Sequence, residues 1–149
     1  MKRIMGIDYG TVRLGIALSD ELQMLAHPTE TISMTKPSQA FARIAELAQE
    51  KNVERIIVGL PRHLDGRLSE SASKAQEFAE KLRPLVSCEV QTWDERLSTV
   101  AAQRSLREAG KSTRQSRSYV DQVAAQIFLQ GYLDSLQFRR SAVVPGSVA

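Results

Sequence analysis

The chain has 149 residues, 42% hydrophobic and 25% charged, with a formal net charge of +3 and a pI near 9.2. That is the size and make-up of one globular domain with its own core. Its single cysteine, Cys88, excludes an internal disulfide and a cysteine metal site. No apolar run approaches the ~18 residues of a membrane span. No secretory apolar region follows Met1-Lys2-Arg3, and the chain reads as cytoplasmic.

Residues 2–9 are apolar on both faces, as in a central strand, and carry Asp8 near their end. RLGIALS (13–19) is close enough to be the hairpin partner, and AHPTETIS (26–33) reads as a third strand with Pro28 near its start. From Ser38 the apolar period changes. Phe41, Ile44, Ala45, Leu47 and Ala48 make a helical stripe that ends near Asn52. RIIVGL (55–60) is continuously apolar and predicts a buried parallel strand. The polar loop PRHLDGRLSE leads into a helix from about Ser69 to Leu82, with Pro84 beyond its end. CEVQTW (88–93) is a fifth strand. Residues 98–109 predict a helix stopped by Gly110, KSTRQSRS (111–118) a basic loop, and 119–136 a last helix. Residues 1–138 then form a single domain, and 139–149, with Pro145 and Gly146, a mobile C-terminal tail. The order βββαβαβαα predicts an α/β fold: a mixed five-stranded sheet with helices on both faces.

Acids stand where such a sheet could gather them. Asp8 ends strand one, Asp94 and Glu95 end strand five, and Asp121 opens the last helix. In an open α/β sheet the crevice at the carboxyl ends of the strands is the usual site. Asp8 meets the Asp94-Glu95 pair there if strands one and five are parallel. Clustered carboxylates supply the oxygen ligands that suit Mg²⁺ or Mn²⁺. Two such ions can activate a water and stabilise the leaving oxygen in phosphodiester hydrolysis. Each acid also has a local structural reading. Asp8 could cap a turn, Ser118 and Asp121 fit a capping box, and Asp94-Glu95-Arg96 could be a solvated charge run. His27 and His63 sit in loop-like contexts far apart, and no GxxxxGK[ST] phosphate loop is present.

Blocks GIDYGTVRLGIALSD (6–20), IIVGLPRHLDG (56–66), TWDERLST (92–99) and YVDQVAAQIFLQGYLD (119–134) resemble the YqgF/RuvX family in order and spacing, over roughly residues 1–136. The resemblance implies an RNase H-like fold related to the RuvC Holliday junction resolvases. It also implies a metal-dependent nuclease, described in bacteria as maturing the 5′ end of pre-16S ribosomal RNA in ribosome biogenesis, with resolution of branched DNA as the alternative. By similarity the metal ligands are Asp8, Glu95 and Asp121, with Asp94 an alternative beside Glu95, and the cofactor is Mg²⁺ or Mn²⁺. Tyr9 departs from the family, where many members carry a smaller residue, and so does the RHL before Asp65-Gly66.

Around the acids, Gly10 lets the turn backbone approach metal or phosphate, and Thr11 can donate to a phosphate oxygen or close the turn. Arg62 and Arg67 in the loop 61–68, and Arg96 after the acids, are candidate backbone contacts. Arg104, Arg107, Lys111, Arg114 and Arg117 form a basic cluster with Glu108 as its one acid. Such contacts are independent of base sequence and salt-sensitive, and the partner they predict is structured RNA or branched DNA. Few aromatics argue against an extended base-stacking platform. A resolvase is expected to be a two-fold dimer, whereas an RNA nuclease can act as a monomer. Two other readings compete. Asp8-Tyr9-Gly10-Thr11 also resembles the phosphate loop of actin-like ATPases, and a non-catalytic nucleic-acid-binding factor would keep the fold.

Overall fold

Strand β1 (Arg3–Asp8) is the middle of the sheet, paired on both sides and covered on both faces. Its neighbours are β2 (Arg13–Ser19), antiparallel to it, and β4 (Val53–Leu60), parallel. β3 (Ala26–Ser33) pairs antiparallel outside β2, and β5 (Glu89–Asp94) pairs parallel outside β4, giving the order β3-β2-β1-β4-β5. Helices α1 (Pro37–Glu50) and α2 (Glu70–Leu82), a 3-10 turn (Arg83–Leu85) and the long α3 (Arg114–Gly146) complete the elements. The computed structural model describes residues 2–60, 70–94 and 114–146, without the side chains of 70–71, 94, 114–118 and 141–146. The helix expected over 98–109 lies outside the described residues.

Strand alternation divides the core in two. Met5 and Ile7 of β1, Leu14, Ile16 and Leu18 of β2, and Ile56 and Val58 of β4 pack under α1 and α2, against Ile44, Leu47, Phe78 and Leu82. Ile4, Ala17 and Ile57 turn to the other face and meet Ala125, Phe128, Leu129 and Leu133 of α3. The helices therefore cover both faces, as the element order predicts. Gly6 lets α3 sit directly on β1, since a Cβ there would come within 2.9 Å of Leu129 Cβ. A row of glutamines then fixes α3 over β3, one of the two edge strands. Gln126 Nε2 donates to the Ala26 carbonyl (3.0 Å), Gln130 Oε1 accepts from the Ala26 N–H (2.9 Å), and Gln122 Nε2 donates to Thr31 (3.1 Å).

The last helix departs from expectation at both ends. It is already helical at Arg114, so residues 114–118 are helix and not loop. Arg and Gln are good helix formers and serine is only mildly unfavourable, so a serine-rich stretch need not break a helix held by packing. Ser118 then lies inside the helix, and the capping-box reading of Ser118 and Asp121 fails. At the other end, the 139–149 segment set aside as a tail is helical through Gly146. No glycine or proline stands between Gly131 and Pro145, and Arg140 Nη2 donates to Gln23 Oε1 at 2.8 Å.

Candidate active site

β1 and β5 both run parallel to β4, so their carboxyl ends share one edge of the sheet. Asp8 ends β1 and Asp94 ends β5 at that edge, and Leu60 of β4 pairs with Asp94. The antiparallel β2 starts there, with Arg13 as its first residue.

Side-chain parity decides which groups can meet. Ile4 and Gly6 face α3, so Asp8, two residues on, shares that face. Asp8 pairs in register with Gly15 on β2. Gly15 also faces α3, and a Cβ at that position would be driven into the Asp121 carbonyl. The missing side chain is what lets α3 descend onto β2 and set Asp121 beside the strand position next to Asp8. Arg13, two residues before Gly15, shares the same face, and its Nε donates to Asp121 Oδ2. Both partners are part-buried, with side chains 38% and 24% exposed, so this ion pair is shielded more than a surface one.

The turn between β1 and β2 explains Gly10. A Cβ on it would come within 2.5 Å of the Arg13 carbonyl, so its bareness closes the turn itself. Thr11 is exposed in that turn, and the Val12 carbonyl accepts from Met34 N–H at 2.8 Å.

Two of the predicted site acids, Asp8 and Asp121, are therefore brought to one face at one edge, and the backbone of Asp94 lies at the same edge. Glu95, Arg62, Arg67, Arg96, Arg104, Arg107 and Lys111 lie outside the described residues, as does His63. Arg114 and Arg117 fall in the first turn of α3, a turn or two before Asp121. Arg13 was not among the predicted residues. Its parity with Gly15 was the available signal, but it is visible only once α3 is known to lie on that face.

Hard carboxylate oxygens on rigid elements are the donor set that Mg²⁺ or Mn²⁺ prefers, and Asp8 and Asp121 fit as part of such a site. Among the described residues no group of three metal-ligating side chains assembles.

A mixed five-stranded sheet with α3 on one face and α1 and α2 on the other, and acids at the carboxyl edge, defines an RNase H-like domain. Solved structures agree on the fold. Thermus thermophilus RuvC in complex with a Holliday junction substrate superposes with a TM-score of 0.56 at 14% identity, covering 91% of this chain and 96% of that one. Fowlpox virus resolvase with Holliday junction DNA gives 0.50 at 14% identity, covering 90% and 98%. The family model RuvX, described as Holliday junction resolvase, matches residues 2–135, and the chain belongs to that family. Proteins named "Putative pre-16S rRNA nuclease" from Bacillus cytotoxicus and Bacillus mycoides are each 44% identical over 135 residues, 89% of this chain and 98% of each relative.

Proposed function

We propose that the chain is a metal-dependent nuclease that hydrolyses phosphodiester bonds, with the 5′ end of pre-16S rRNA as its substrate. The juxtaposition of Asp8 and Asp121 through Gly15 carries this reading. The names of the Bacillus relatives support the RNA substrate.

Asp8, Asp121 and Glu95 would hold Mg²⁺ or Mn²⁺, which when bound polarises the phosphate and supplies an activated water. The family resemblance favours Glu95 over Asp94 as the third ligand. The chain's own contribution is orientation. β1 fixes Asp8 on a central strand, and Arg13 holds the Asp121 carboxylate in place against β2. A ligand on a regular element is held more closely than one on a loop. Arg62, Arg67, Arg96, Thr11 and the basic cluster from Arg104 to Arg117 would hold the phosphate backbone. No helix among the described residues is long and apolar enough to cross a membrane, and we place the protein in the cytoplasm.

Branched DNA is the second reading, favoured by the family description and by the junction-bound fold relatives. One assay separates the two. Wild type and Asp8→Asn are given a precursor 16S 5′-end RNA and a four-way DNA junction in parallel, with Mg²⁺ or Mn²⁺. RNA cut by wild type alone is the expected result. Symmetric cutting of the junction would move the assignment to a resolvase, and no cutting with either metal would leave a non-catalytic binding factor.

A further inference from the structure

The carboxyl edge has a second face, opposite the acids. There a groove of about 370 Å³ opens between the β1–β2 turn, α1 and α2. Three aromatic rings meet along it. Tyr9 packs on Phe78 with ring centroids 5.1 Å apart, and Phe41 stacks on Phe78 at 5.2 Å and 19°. Phe78 is buried, whereas Tyr9 and Phe41 keep part of their surface in the groove. Lys74 and Lys81, both exposed, stand on the α2 wall with Glu77 between them, and Thr11 closes the end nearest the turn. The volume lies at the low end of small-ligand pockets, which suits one nucleotide and not a run of them.

The groove is joined to the acids by the chain itself. Tyr9 directly follows Asp8, and strand alternation puts their side chains on opposite faces of the same edge. A nucleic-acid strand that crosses the edge with one phosphate on the Asp8 side brings a neighbouring nucleotide over Tyr9. Aromatic rings accept any base by stacking, and lysines meet phosphate without reading sequence.

We propose that this groove receives one unpaired nucleotide of the substrate strand, next to the phosphate held at Asp8. The base lies against Tyr9 and Phe41, and Lys74 and Lys81 face its phosphates. The groove thereby selects substrates with an unpaired nucleotide beside the cut. This deepens the nuclease reading and rests on it for the position of the cut. The α2 wall, two lysines against one glutamate, favours an anionic occupant, and the aromatic surface of Tyr9 and Phe41 favours a nucleotide base over an acidic peptide side chain. An apolar protein segment is the competing occupant.

Binding in EDTA tests the groove without requiring catalysis. The full chain is titrated with three fluorescent hairpins: blunt, with a two-nucleotide unpaired overhang, and with the same overhang made abasic. Each is made in RNA and in DNA, and overhangs are placed at either end. In at least one nucleic acid and polarity, the base-bearing overhang should bind roughly tenfold tighter than the abasic one. Tyr9→Leu should erase that gap while the blunt hairpin affinity stays within about twofold. Lys74→Gln with Lys81→Gln should weaken both overhangs relative to the blunt hairpin. Phe41→Leu replaces Tyr9→Leu if the latter does not fold. Equal binding of base-bearing and abasic overhangs by wild type in every arm overturns the proposal and leaves the groove to a protein segment. So does a gap that survives both aromatic variants. If the gap is present but no substrate is cut with metal, the groove stands and the nuclease reading falls. Cutting without a gap gives the reverse.

Discussion

Asp8 and Asp121 are 113 positions apart in number, yet the glycine at position 15 makes them neighbours. Asp8→Asn should abolish cleavage with little loss of stability, because an end-of-strand acid is exchanged for an isostere; a large fall in melting temperature would instead identify a structural turn residue. Arg13 extends the same logic. Arg13→Gln should lower unfolding free energy by no more than about 1 kcal/mol, since the pair is only part-buried. Its kcat should fall roughly tenfold or more with KM little changed, as a misplaced catalytic group loses rate before binding. Steady-state kinetics beside a urea titration reads both. Gly15→Ala should be costly in both respects, about 3 kcal/mol in stability, because its Cβ enters the helix backbone, which cannot rotate away as a side chain can. Asp8 was legible from sequence as a carboxylate at a strand tip. Arg13 was not, because a basic residue opening an exposed hairpin strand looks the same whether it meets solvent or an acid from the far end of the chain.

Among elements, β3 is an edge strand and depends on its attachments. Its outer positions are held by the α3 glutamines on one face and by a clamp to α1 on the other. Arg43 Nε and Nη2 donate to Glu30 Oε2 and Oε1, both at 2.8 Å. The guanidinium holds the Glu30 carboxyl below its ordinary value of 4.5. A depressed carboxylate stabilises the fold above the unfolded pKa, and that contribution is lost as pH falls through the folded value. Glu30→Gln should therefore lower stability by about 1 kcal/mol at pH 7 and by less as the pH drops below 4.5. Urea midpoints measured from pH 7 down to pH 3 check the sign. The elements themselves were legible wherever apolar period was strong: β2 and β3 are found at the residues expected. The start of α3 was missed because serine and arginine carry little local signal, and helix there is decided by what the rest of α3 packs against.

For the whole molecule, the site depends on α3 lying across β1, β2 and β3, and the buried Phe128 and Leu129 secure that placement. Phe128→Ala should cost about 3–5 kcal/mol and reduce cleavage in proportion to the unfolded fraction, read by thermal melts beside activity. Arg114→Ala with Arg117→Ala, in the first turn of the same helix, should weaken substrate binding and flatten its dependence on salt, since each lost phosphate contact releases fewer counterions. An unchanged slope of log affinity against log salt would remove these residues from the interface. Sequence alone determined the chain order of the five strands, the buried β4 and the presence of acids at the strand ends, because hydrophobic period and strand-end chemistry are local properties; it left open whether β1 and β5 run parallel, which the pairing of both with β4 decides. Tertiary structure decided which acid meets which partner, that Arg13 belongs beside Asp121, and that Tyr9, Phe41 and Phe78 share one groove. Those contacts depend on how closely two backbones approach and on which face each strand residue takes, and both are set only when the sheet and helices close on one another.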